Sequence, residues 1–170
     1  REHIERIQNR IRNAKVVAVC DVFEEGAKKG AEIAGAGTKV YTDFNEAIND
    51  PDVNAVVVTT PSQFHKGPVL AAIKAGKPVF SEKPLANTAA DGKEIVEAEM
   101  AGGKHLVQVG FMRRYDRGYR QVKELIDSGK FGAPMVIKCT HRADGVADDY
   151  TTAMAVTDTA IHEIDVLPWL

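Results

Sequence analysis

Two short stretches hold side chains that could do chemistry. The first is SEKPLA (81–86), in which Glu82 and Lys83 stand immediately before Pro84. A proline fixes its own φ and pushes the preceding residue toward an extended conformation, so the Lys83 side chain is aimed rather than free. An ammonium held in that way can hydrogen-bond a reacting oxygen; a plain surface lysine on a loop has the same local sequence. The second stretch is DTAIHEIDVLPWL (158–170). Its Ile161, Ile164, Val166 and Leu167 follow helical spacing, and Asp158 and His162 fall four apart, one turn on one face. An acid at that distance can orient an imidazole and raise its basicity, which suits the ring to take a hydroxyl proton near neutral pH. A surface ion pair on a helix would show the same spacing. Side chains four apart can also share zinc, but no His, Glu and Cys set of matching spacing accompanies them, and no metal is expected.

The elements that must position these residues have a clear rhythm. VVAVCD (16–21), KVYTD (39–43), AVVVTT (55–60), KPVFSE (77–82) and HLVQVGF (105–111) are short β-rich runs, separated by helical stretches that end near Gly35, Asn49, Gly76 and Gly103. Apolar runs of this kind suit parallel strands covered by helices on both faces. AIKAGKP and EMAGGKH each place glycine just past a helical turn, a usual stop signal. The fold expected up to residue 111 is therefore α/β, a doubly wound parallel sheet of Rossmann type. Such sheets bind ligands outside the carboxyl ends of their strands, where SEKPLA falls. Asp21 ends the first run, and a dinucleotide-binding fold uses an acid there to hold the adenosine ribose, roughly 20 residues after a glycine-rich turn. Such an acid accepts from both ribose hydroxyls and repels a 2′-phosphate, which favours NAD over NADP. A simple turn acid at a strand end is the alternative.

Counting back from Asp21 leaves no room for the glycine turn. The opening REHIERIQNRIRNA carries Ile4, Ile7 and Ile11 at helical spacing, so the chain is expected to start inside or just before the first helix. The central strand of the sheet and its glycine loop are then expected just before Arg1. Two strands left without that neighbour would bury unpaired backbone groups at a cost of several kcal/mol. The 170 residues are accordingly expected to be a piece of a longer chain that turns nothing over by itself. Beyond 111, YDRGYRQVKELIDSGKFG (115–132) predicts an amphipathic helix closed by Gly129, and PMVIKCTHR (134–142) a strand opening a second sheet. The expected division is a dinucleotide-binding domain at 1–111 and, at 112–170, the beginning of an incomplete substrate and oligomerisation domain.

Composition narrows the partners. With 44% hydrophobic and 27% charged residues the chain can bury a core, and a net charge of −2 without a basic stripe argues against nucleic acid or a membrane surface. A small molecule is the expected partner. Cys20 and Cys139 both lie in apolar, strand-like runs without metal-ligand spacing, which predicts reduced, buried thiols in a cytoplasmic protein. No signal peptide and no apolar run of about 18 residues is evident.

Taken in order, VCD, TPSQFH, SEKPLA, VGFMRRYD and DTAIHEIDVLPWL resemble the Gfo/Idh/MocA family of nicotinamide-dependent sugar and polyol dehydrogenases, its inositol-oxidising members above all. The resemblance runs through the whole chain, about half of a typical member. It implies NAD as cofactor, a cyclic polyol as substrate, with myo-inositol oxidised to its 2-keto form, and a tetramer for the full-length protein. Lys83, Asp158 and His162 would form the catalytic set. His162 would be the general base, Asp158 would orient it and bind a neighbouring hydroxyl, and Lys83 would hydrogen-bond the reacting oxygen. Asp21, Thr59, Thr60, Pro61, His65, Glu82 and Lys83 would line the cofactor, and Arg113 and His141 would join the catalytic set in holding substrate. Ala143 stands where inositol-type members commonly have asparagine, which leaves the polyol open. The other readings are a dehydrogenase for a different sugar and a non-catalytic dinucleotide-binding protein.

Overall fold

The computed structural model describes residues 2–142, 144–146 and 148–170; Ala143 lies outside them. An opening helix α1 (Glu2–Arg10) leads into β1 (Ala18–Cys20), α2 (Glu24–Ala34), β2 (Lys39–Tyr41), α3 (Phe44–Asn49) and β3 (Val56–Val58). A 3₁₀ turn at Ser62–Phe64 precedes α4 (Lys66–Lys74), β4 (Val79–Ser81), α5 (Ala89–Ala101) and β5 (Val107–Val109). A second 3₁₀ turn, Met112–Tyr115, leads into α6 (Arg117–Asp127). The chain closes with α7 (Thr152–Met154), a π-helical stretch (Ala155–Ala160) and α8 (Ile161–Trp169).

Local sequence explains most of these boundaries. Asp43 caps α3 by accepting from Asn45 N, Thr88 caps α5 from Asp91 N, and Asp116 caps α6 from the amides of Gly118 and Tyr119. Each satisfies a donor that a helix N-terminus would otherwise leave unpaired. Gly76, Gly103 and Gly129 all take positive φ close after α4, α5 and α6, a conformation that costs other residues more.

All strand pairs are parallel, but they form two sheets. β1 pairs with β2, and β4 lies between β3 and β5. The division falls between β1 and β3, the place of the expected central strand. It leaves Val57 of β3 44% exposed between half-buried Val56 and buried Val58. The uniformly covered strand expected from the apolar run AVVVTT is thus only half covered among the described residues. The core fills the other face of this sheet: Val58, Val69, Ala72, Val79 and Ile95, all at most 3% exposed, pack between β3, β4, α4 and α5.

Residues 134–142 do not form the expected strand. Met135 and Val136 are 92% and 86% exposed, and an isolated strand without a hydrogen-bonding neighbour has nothing to stabilise it. Cys139 is therefore exposed rather than buried, and Cys20 is half-buried; both are free thiols. Burial, together with the nearby Asp43, Asp21 and Glu46 carboxylates, pushes the Cys20 thiol pKa upward and keeps it protonated. No described helix is long and apolar enough to cross a membrane.

Candidate active site

The carboxyl ends of the strands form one edge. Ladder hydrogen bonds continue past the strands there, from Asp21 N to Tyr41 O, Glu82 N to Val58 O and Gly110 N to Ser81 O. Glu82 and Lys83 are carried by this pairing to the rim, and the Lys83–Pro84 peptide is cis. Lys83 Nζ donates to Asp158 Oδ1 at 2.5 Å and to Asp158 O at 3.0 Å, which joins the rim of the sheet to the π-helical stretch. An ammonium has three hydrogens, so one remains for a substrate oxygen.

Asp158 does not orient His162, as the spacing of four had suggested. That expectation assumed an α-helix, in which residues four apart stack; Asp158 lies in a π-helical stretch, whose turn is wider and shifts the register. The carboxylate is turned to Lys83 instead. His162 opens α8, is 8% exposed, and its buried Nδ1 has no partner among the described residues. Its basicity is lowered rather than raised. Burial is the main cause, the Lys83 and Arg113 cations add to it, and Glu163 opposes it. A ring so placed is neutral near pH 7 and able to accept a proton.

Beside His162, Arg113 from the turn after β5 donates from Nη1 to Glu163 Oε1, and His141 Nδ1 lies 3.4 Å from the same oxygen. Arg114 grips Asp165 through Nε and Nη2, with its shortest bond at 2.7 Å. Lys123 on α6 stands 5.4 Å over the Trp169 ring. Three ion pairs, Lys83–Asp158, Arg113–Glu163 and Arg114–Asp165, thus fasten the π-helical stretch and α8 to the carboxyl edge of the sheet. Sequence reasoning singled out Arg113 and His141 but missed Glu163, Arg114 and Asp165. The signal was present as an arginine pair facing a helix with acids at 158, 163 and 165, but only the fold shows that the two stretches meet.

The side on which a cofactor was expected is built from β1 and β3. Asp21 is exposed just past β1, and its Oδ1 accepts from Phe23 N at 2.9 Å. A Cβ on Gly26 would come within 2.8 Å of Asp21 Oδ2, so the carboxylate rests on a glycine of α2. Thr59, Thr60 and Pro61 are exposed just past β3, and Glu82 Oε1 lies 3.1 Å from His3 Nε2 of α1. An accessible acid in a glycine cradle beside the open division of the sheet suits the ribose of a dinucleotide. His65 is the exception. Its ring is 1% exposed, with Nδ1 2.7 Å from Pro84 O and Nε2 2.8 Å from Thr60 O. Both carbonyls only accept, so the ring N–H donates to one of them and the other nitrogen packs against the second; the buried side chain, expected to contact cofactor, is an internal brace between the loop after β3 and the Lys83–Pro84 turn. Among the described residues no group of three or more His, Cys, Asp or Glu side chains could hold a metal ion.

Residues 1–111 match the family described as GFO_IDH_MocA, oxidoreductases with an NAD-binding Rossmann fold, and residues 119–170 match a GFO/IDH/MocA C-terminal domain. The chain belongs to the GFO/IDH/MocA family. It is 55% identical over 169 residues to an inositol 2-dehydrogenase of Azotobacter vinelandii, covering 99% of this chain and 50% of that protein. It is 49% identical over 170 residues to an inositol 2-dehydrogenase of Klebsiella pneumoniae, covering all of this chain and 50% of that one. The crystal structure of myo-inositol dehydrogenase from Lactobacillus casei in complex with NAD(H) and myo-inositol superposes with a TM-score of 0.94. That match is at 43% identity, over 99% of this chain and 50% of that one. The chain spans about half the length of these relatives.

Proposed function

We propose that the protein to which this chain belongs oxidises a secondary hydroxyl of a cyclic polyol, myo-inositol to its 2-keto form, with NAD. The observation that carries this reading is the meeting of Lys83, Asp158 and a buried, neutral-leaning His162 at the carboxyl edge of a Rossmann sheet. The relatives named above, two of them inositol 2-dehydrogenases and one binding NAD(H) and myo-inositol, support the substrate and the cofactor.

In this reading Asp21 accepts the adenosine ribose hydroxyls, and Thr59, Thr60, Pro61 and Glu82 flank the rest of the cofactor. NAD supplies the acceptor for the hydride that leaves the carbinol carbon. The hydroxyl proton passes to an imidazole nitrogen of His162, which is made ready by the same burial and cations that lower its pKa. Lys83 gives its remaining hydrogen to the reacting oxygen and offsets the negative charge that grows there, while Asp158 holds the ammonium in place. Arg113 and His141 face the remaining hydroxyls. We divide the protein into a dinucleotide-binding part at 1–111 and the start of a substrate and assembly part at 112–170.

Free thiols at Cys20 and Cys139 support a cytoplasmic setting, and the exposed apolar run Met135, Val136 and Ile137 supports burial in an assembly such as a tetramer. The test is a panel of inositol stereoisomers and hexoses offered to the full-length protein with NAD and with NADP, followed by absorbance of the reduced cofactor. Turnover of myo-inositol with NAD is expected. Turnover of hexoses alone would move the substrate to a different sugar, and no turnover with any of them would overturn the enzymatic reading.

A further inference from the structure

Glu163 has no part in the proton or hydride transfer, yet it occupies the centre of a polar cluster beside His162. Its carboxylate is only 17% exposed. Oε1 receives Arg113 Nη1 and lies 3.4 Å from His141 Nδ1, while Oε2 is buried without a partner among the described residues. Arg113 Nη2 and His141 Nδ1 are themselves 3.4 Å apart. One carboxylate thereby links three segments distant in sequence: the turn after β5, the stretch beyond α6, and the start of α8. Burying a carboxylate is costly unless its partners compensate, so its partners indicate what it is for.

We infer that Glu163 is a positioning residue, whose carboxylate fixes the Arg113 guanidinium and the His141 ring beside His162 as a preset pair of groups for the hydroxyls of a cyclic polyol. The inference rests on the functional reading above. Arg113 stays in place through a second contact, 5.5 Å over the Tyr119 ring of α6, but Glu163 is its charged partner. The groups that act on His162 come from every element around it. Lys83 projects from the turn after β4, Arg113 from the turn after β5 and His141 from the stretch beyond α6, and all three disfavour its protonated form. Glu163, on its own helix, favours that form, and Asp158 is turned to Lys83. Neutralising Glu163 therefore removes the named carboxylate that opposes three positive or potentially positive groups.

The test uses the full-length protein and two variants, Glu163→Gln and Glu163→Asp. NMR titration of the histidine ring protons, without substrate, reads the His162 midpoint, and steady-state kinetics with myo-inositol reads KM. Glu163→Gln should lower the midpoint, because a neighbouring negative charge is removed, and raise KM about tenfold, the worth of one charged hydrogen bond. NAD affinity should not change. Glu163→Asp keeps the charge but shortens the reach, so KM should rise while the midpoint stays near that of the wild type. If Glu163→Gln fails to fold, the Glu163→Asp pattern carries the decision. An unchanged KM in either folded variant, or an unchanged midpoint in Glu163→Gln, would overturn the inference. Failure of the wild type to oxidise any cyclic polyol would overturn the functional reading, and the His162 titration would still decide whether Glu163 acts on it.

Discussion

Replacing Gly26 with alanine should separate cofactor binding from stability. The added methyl would stand 2.8 Å from Asp21 Oδ2, 2.9 Å from Cγ and 3.3 Å from Oδ1. The first two contacts are too close for carbon, so the carboxylate has to move. Asp21 is exposed, and the one hydrogen bond that its carboxylate makes among the described residues is accepted from Phe23 N at 2.9 Å, so the side chain can swing into water at little cost to the fold. Alanine also favours a helix over glycine by up to about 1 kcal/mol. Thermal stability of the full-length protein should therefore hold or rise slightly. The ribose, however, loses a charged hydrogen bond worth about 1.5–3 kcal/mol, which converts to a loss of NAD affinity of about 10- to 150-fold. NADP, which the displaced carboxylate no longer repels as strongly, should lose less. Calorimetric titration with both cofactors reads these values, and Asp21→Ala supplies the reference. The double variant Gly26→Ala/Asp21→Ala should bind NAD no more weakly than Asp21→Ala alone, because both changes remove the same interaction. Unchanged NAD affinity in Gly26→Ala, or full additivity in the double variant, would refute the placement of the ribose on Asp21.

Three further outcomes are expected of the full-length protein. His162→Ala should lower kcat by about 10²- to 10⁴-fold, with NAD affinity nearly intact. Lys83→Ala should do similar damage, and the double variant should fall short of the summed losses, since groups serving one proton transfer act as a unit. Because burial and the Lys83 and Arg113 cations lower the His162 pKa, the acid limb of a kcat/KM profile should lie below the ordinary histidine value of about 6.5. The same shift has a sign in stability. As pH falls below about 6.5 the unfolded chain takes up this proton first, so the native state should lose stability until the lower native value is passed and then lose no more from this group; denaturant titrations of wild type and His162→Gln would read the difference. His65→Ala should destabilise by about 2–4 kcal/mol, from the hydrogen bond that the ring N–H gives to a backbone carbonyl and the cavity left by a ring that is 1% exposed. Chemical denaturation measures this, and a loss below about 0.5 kcal/mol would contradict a bracing role.

Short-range patterns in the sequence were enough for the order of elements. Five apolar runs and the glycines near 76, 103 and 129 marked the strands and helix ends, because backbone preference and strand hydrophobicity act over a few residues. They also marked Lys83, Asp158 and His162 as residues of interest, since proline geometry and helical spacing are local. What those side chains touch was decided by the tertiary structure. A π-helical register turned Asp158 from His162 to Lys83, and packing closed the His65 ring between two carbonyls. The run PMVIKCTHR had the composition of a strand, but a strand exists only when another supplies its hydrogen bonds, and among the described residues none does. Glu163 and Asp165 were invisible for a related reason. An acid on a helix is unremarkable until the fold brings an arginine 50 or 51 residues away to meet it, and only then does its charge become part of a site.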